Sequence, residues 1–221
     1  MNLLEKYQTE IVPELQKELG VKSLMAVPRI VKVIINIGLK EAKDDKKLID
    51  IVGEQLKTIS GQKPKLCRAK KSIAGFKLAK GQPIGLSVTL RSGKAFAFLE
   101  KLFRIVLPRV RDFSGVNSKS FDGNGNYNLG INEQIVFSEI DFSKIDKTRG
   151  LQITIATNTN DDKKAKLLLE KLGMPFAHVY TERSERAQGK PFAHAQGKPF
   201  AHVYTEQGER AQGKPFAKEV K

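Results

Sequence analysis

Apolar and polar side chains alternate between residues 28 and 38. Val31, Val33, Ile35 and Ile37 fall on one face of an extended chain and Lys32, Ile34 and Asn36 on the other, which predicts a strand with one core face and one partly polar face. The same period of two returns twice. Ile84, Leu86, Val88 and Leu90 alternate with Gly85, Ser87, Thr89 and Arg91, and Leu151, Ile153 and Ile155 alternate with Gln152, Thr154 and Ala156. Elsewhere the spacing is helical. Leu4, Tyr7, Ile11, Leu15 and Leu19 form one stripe ending at Gly20, with Pro13 expected to kink it or to start a second segment. Leu48, Val52, Leu56 and Ile59 form another over 44–60, with Asp44 and Asp45 near its start and Gly61 at its end. A third helix is expected after Ser92, read as its cap, with Phe96, Leu99, Phe103 and Val106 buried and Pro108 as its stop. A short last helix runs from Ala165 to Leu172 and is closed by Gly173, and the glycine-rich stretch 122–130 reads as turns.

Several strands carry a long polar face, so the helices are expected to cover only one side of the sheet. The pattern therefore predicts an α+β fold, a mainly antiparallel sheet with helices packed on one face and an open polar face.

Beyond residue 176 the sequence changes character. PFAHVYTE stands at 175–182 and again at 199–206, ERAQGKPFA at 185–193 and 209–217, and AQGKPFA a third time at 195–201. These repeats have few apolar residues and neither structural period, so they cannot bury enough surface to offset chain entropy. The chain is thus read as a domain over 1–176 and a repetitive tail over 177–221, expected to be ordered only by contacts to something else.

Charge narrows the function. The 221 residues carry a formal net charge of +15, and a compact domain sustains that self-repulsion most readily beside a polyanion. Nucleic acid is the leading partner and an anionic membrane surface the second. No apolar stretch approaches the roughly 20 residues of a spanning helix. Glu5 and Lys6 stand where a signal peptide would be apolar, and Cys67 is the one cysteine, so a cytoplasmic location is expected.

The cations are not spread evenly. From Gln55 to Leu99 there are ten Lys or Arg residues and no carboxylate, where an ordinary solvated surface mixes signs. Within this region, 70–81 reads Lys70, Lys71, Ser72, Ile73, Ala74, Gly75, Phe76, Lys77, Leu78, Ala79, Lys80 and Gly81. Its glycines permit close backbone approach to a partner, and its apolar residues stand among cations. Phe76 either stacks on a base or, with Ile73, pins the loop to the body. If the strands pair in register, Lys32, Asn36, Ser87, Thr89, Arg91, Gln152 and Thr154 share the open face, and such amide, hydroxyl and cationic groups suit phosphate, sugar and base-edge contacts. A polar sheet exterior facing only water has the same appearance.

The stretch RAKKSIAGFKLAKGQPIGLSVTLR is accompanied by VIINIGL at 33–39, SGQKPKL at 60–66, LPRVRDFSG at 107–115, FDGNGNYNLGINEQIVFSEID at 121–141 and LGMPF at 172–176. Together, and in this order, they closely resemble the bacterial large-subunit ribosomal protein five family through nearly all of 1–176. The resemblance implies a protein of the central protuberance that binds 5S ribosomal RNA through the sheet face, in company with 23S ribosomal RNA. The family's RNA-contacting Asn, Gln and Thr fall here on Asn36, Gln62 and Thr89, with Lys32, Lys63, Arg68 and Arg91 placed around them to neutralise phosphates. It further implies that the 70–81 loop reaches peptidyl-site transfer RNA and that the far side meets small-subunit protein thirteen in an intersubunit bridge. The tail departs from the family pattern, which ends soon after Pro175 and Phe176.

Other motifs carry less. Asp122, Asn124, Asn126 and Glu133 have calcium-loop spacing, but Tyr127 stands where the sharp turn needs glycine, so a structural turn is expected, and no metal or other cofactor. All three histidines, His178, His194 and His202, lie in the tail, leaving the body no imidazole for proton transfer. Cys67 lacks a base and reads as a small strand residue. No catalytic constellation is present, and a binding protein is expected. Its rivals are a nonspecific RNA chaperone and a scaffold that bridges proteins.

Overall fold

The computed structural model describes residues 2–39, 46–140 and 147–177. Five strands form one antiparallel sheet in the order β2-β3-β1-β5-β4, where β1 is Ile30–Gly38, β2 Lys65–Arg68, β3 Pro83–Leu90, β4 Tyr127–Ile131 and β5 Leu151–Thr157. The helices are α1 (Leu3–Lys6), α2 (Val12–Glu18), α3 (Lys46–Ser60), α4 (Ser92–Lys101) and α5 (Asp162–Lys171). Their apolar faces join one core with the inward side of the sheet. Val33, Ile35 and Ile37 meet Leu86, Val88, Leu90, Ile153 and Ile155 from neighbouring strands and Val52, Leu56, Leu99 and Leu168 from the helices. The α+β class with one covered sheet face is thus observed.

Local chemistry explains the ends of these elements and several departures from the sequence pattern. The first stripe is one helical run with a π turn, Tyr7–Ile11, inserted between α1 and α2 just before Pro13, whose missing N–H removes one bond from the run. Ser92 does not cap α4; it has a φ of +47°, and no side chain caps that end. Nor does Pro108 stop the helical path, which continues through a π turn, Leu102–Val106, and a 3₁₀ turn, Leu107–Arg109, that has the proline in its first residues. The last helix begins earlier than its apolar spacing indicates, because Asp161 accepts the Lys163 N–H at 3.0 Å and caps it. Asp44 and Asp45 lie outside the described residues.

In the sheet, Val31 is a correction. A bulge between Ile30 and Lys32 buries Ile30 at 9% exposure and turns Val31 outward at 39%. Two strands lie outside the three that the alternation predicts. β2 is only four residues long, and β4 begins at Tyr127, inside the stretch that reads as turns, because Gly130 and Asn128 dilute its apolar signal. Gly85 is required where β3 crosses β1: a Cβ there would stand 2.5 Å from the Ile37 carbonyl oxygen.

The calcium-like stretch is a turn. Asp122 accepts the N–H groups of Asn124 at 2.9 Å and Asn126 at 3.0 Å and the Asn126 amide at 2.8 Å, so its carboxylate closes the loop into β4. Asp162 at the head of α5 accepts the Gly123 and Gly125 N–H groups and ties the turn to the body. Among the described residues no helix is long and apolar enough to cross a membrane.

Candidate nucleic-acid interface

Pairing registers place the outward residues of the strands in rows across the sheet. One row reads Lys65, Ser87, Asn36, Gln152 and Gly130, from β2 to β4. The next reads Thr89, Ile34, Thr154 and Asn128. Lys32 stands beside Ala156 farther along β1, and Arg91 follows the last residue of β3. Six of the seven polar residues expected to share a face are therefore held together by backbone pairing, with Arg91 just past the end of β3, and the face extends to β2 and β4, adding Lys65 and Asn128. These two were missed because their strands were missed. The local sign of β4 is the alternation of Tyr127, Leu129 and Ile131 with Asn128 and Gly130.

The face is open to solvent. Asn36, Gln152, Lys65 and Arg91 are exposed, while Lys32, Ser87, Thr89 and Thr154 are partly covered by their neighbours. Among the described residues the side chains of Lys32, Asn36, Ser87, Thr89 and Gln152 have no hydrogen-bond partner, which leaves their donors and acceptors available to a ligand. Thr154 differs: its hydroxyl donates to Asn128 Oδ1 at 2.7 Å. Cys67 is a partly exposed residue of β2, opposite Gly85, as its reading as a small strand residue required.

Gln62 is not on the sheet. It is exposed in the turn that joins α3 to β2, where Gly61 takes a φ of +64° and lets the chain reverse. The Ser60 hydroxyl donates to the Leu56 carbonyl at 2.6 Å and accepts the Gln62 N–H at 3.3 Å, and so fixes this turn. Lys63 is exposed beside Gln62, and because Lys65 pairs with Ser87 the turn lies at the edge of the sheet toward Thr89 and Arg91. Across the α3 end, Lys101 donates to the Ile59 carbonyl and meets Glu139, each at 2.7 Å, holding the turn against α4.

The 70–81 segment leaves the opposite end of the β2–β3 pair. Its base is closed by Ala69 N–H to Gln82 O and Gly81 N–H to Ala69 O, both 2.9 Å, and Arg68 donates to the Gly81 carbonyl at 3.1 Å. Farther out, Ile73 and Leu78 form a bridge around a 3₁₀ turn, Ala74–Phe76, and Lys77 turns the chain with a φ of +50°. The Ser72 hydroxyl accepts the Lys80 N–H at 3.0 Å. This is a small folded finger rather than a slack loop. Phe76 is 73% exposed at its tip and Ile73 46%, so neither pins the finger to the body. Lys70, Lys71, Lys77 and Lys80 are also exposed.

The sequence that builds this one-sided sheet and cationic finger matches known families. Residues 23–78 match the model described as ribosomal protein L5, and residues 83–176 match the model described as the C-terminus of the same ribosomal family. The large ribosomal subunit protein uL5 of Caldanaerobacter subterraneus is 56% identical over 175 residues, covering 79% of this chain and 98% of that protein. Proteins of the same name from a Roseiflexus species and from Clostridium beijerinckii are 53% and 52% identical over 174 and 175 residues, with 79% of this chain and 97% and 98% of theirs covered. The chain belongs to the ribosomal protein L5 family. As an L5 protein it is a structural, non-enzymatic constituent of the large ribosomal subunit, an RNA-binding protein of translation whose place is the ribosome in the cytoplasm. The matched L5 regions end at Phe176, the second residue of the first repeated segment.

Proposed function

We propose that this subunit protein binds 5S ribosomal RNA through the open face of its sheet. The observation that carries the reading is the cross-sheet row Lys65–Ser87–Asn36–Gln152–Gly130, which is open to solvent among the described residues. Asn36, Gln62 and Thr89 supply hydrogen bonds to exposed base edges and sugars, and Lys32, Lys63, Arg68 and Arg91 neutralise the phosphates around them. Neighbouring 23S ribosomal RNA meets the remaining basic surface. The finger 70–81 reaches peptidyl-site transfer RNA; the exposure of Phe76 among four lysines supports a stacking contact flanked by phosphate contacts. The opposite side faces small-subunit protein thirteen.

The test is a competition gel shift of the full chain with 5S RNA against transfer RNA and an unrelated hairpin at physiological salt. A preference for 5S RNA of roughly a hundredfold or more is expected for site-specific recognition. Equal competition would assign the binding to charge alone and remove the roles of Asn36, Gln62 and Thr89.

A further inference from the structure

Leu24 and Met25, in the turn that leads into β1, are 62% and 81% exposed, although Val27 and Ile30 just after them are buried. The turn is well held. Ser23 Oγ accepts the Met25 N–H at 3.3 Å, the Gln16 amide donates to the Lys22 carbonyl at 3.3 Å, and Asn158 at the end of β5 accepts the Arg29 N–H at 2.7 Å. The bulge adds Val31, 39% exposed, at the same end of the sheet. Fixed, adjacent and outward-facing apolar side chains of this size mark a contact surface. From Gly20 to Lys40 the sequence also has four cations, Lys22, Arg29, Lys32 and Lys40, and no carboxylate. A partner that satisfies both features presents a flat apolar surface and negative charge together, as an unstacked nucleotide does.

We propose that the Leu24–Ala26 turn receives an unpaired base of the same RNA that lies on the open face, while Lys22, Arg29 and Lys32 meet the adjoining phosphates. This contact rests on the reading of that face as the 5S RNA site. It lies at the start of β1, whereas the 70–81 finger adjoins its end, where Gly38 pairs with Gly85. The two ends of β1 stand about 26 Å apart, eight steps of about 3.3 Å each.

The test is a gel shift of the full chain with 5S RNA over a range of salt concentrations. The pair Leu24→Ser and Met25→Ser is expected to weaken binding about tenfold, the loss of a stacked base, with the slope of log affinity against log salt unchanged because no cation is removed. Met25→Phe, which keeps an apolar platform, is expected to stay within about twofold of the unsubstituted chain. Unchanged affinity in the serine pair overturns the proposal, and so does a Met25→Phe chain as weak as the serine pair. The unsubstituted chain's preference for 5S RNA over an unrelated hairpin is read in the same gels. If that preference is present and the serine pair is indifferent, only this contact fails; if it is absent, the reading of the face fails and the contact with it.

Discussion

Thr154 donates its hydroxyl hydrogen to Asn128 at 2.7 Å across the β5–β4 pair. The bond uses up the hydroxyl proton of one open-face residue, while Asn36, in the neighbouring row, keeps its amide unpaired among the described residues. The face is thus uneven: Thr154 and Asn128 are bonded to each other, whereas among the described residues Asn36, Ser87, Thr89 and Gln152 keep their side-chain donors and acceptors free.

Asn36→Ala and Thr89→Ala are each expected to weaken 5S RNA binding about tenfold, the worth of a base-edge contact. Neither side chain contributes to the core, so thermal midpoints should stay within about 2 °C of the parent. Gel shifts and thermal melts on the same samples check both halves; a large fall in midpoint would make these packing residues.

Deletion of residues 73–80 should leave 5S affinity within about twofold of the parent, because Ala69 and Gln82 still close the β2–β3 base and the open face is untouched. Retention of peptidyl-site transfer RNA by ribosomes carrying the deletion should fall. A parallel loss of 5S affinity would contradict the division of labour between face and finger.

Gly85→Ala brings a Cβ to 2.5 Å from the Ile37 carbonyl oxygen, a backbone atom that yields only if β1 and β3 separate. Denaturant unfolding should show a loss of about 2 kcal/mol or more. Asn36 and Ser87 pair in the same ladder, so 5S affinity should fall as well.

Hydrogen bonds, the Asn126 amide's foremost and the Asn124 N–H next, hold the Asp122 carboxyl below its ordinary value. A carboxyl that binds its proton more weakly when folded stabilises the fold above its unfolded pKa, and that contribution fades as pH falls through its lowered folded value. Asp122→Ala should therefore lower the thermal midpoint near neutral pH, and the gap to the parent should close as the pH is taken below about 4. A gap independent of pH would show that the loss lies in packing.

A chain ending at residue 177 should bind 5S RNA as tightly as the full chain, since every residue assigned to the face lies before the repeats. The tail holds eight Lys or Arg against five Glu. If it added phosphate contacts, the full chain would show a salt slope steeper by about 0.7 to 0.9 for each one.

Alternation in β1, β3 and β5 was enough to put Asn36, Ser87, Thr89, Gln152 and Thr154 on one face, because a period of two is a property of any single extended chain. The helical stripes of α3 and α4 and the cationic run from Gln55 to Leu99 were legible for the same reason: they need no knowledge of what lies across from them. Strand order was not legible, nor were β2, too short to show a period, and β4, whose glycine and asparagines read as turn residues until β5 pairs with them. The bulge that exchanges Ile30 for Val31 on the core face comes from pairing with β5, and the positive φ of Ser92 was likewise invisible to its residue type. Exposure was decided last. Phe76, Leu24 and Met25 are ordinary apolar residues in sequence, and only the way the rest of the chain packs leaves them in solvent, since burial depends on neighbours that the local sequence does not contain.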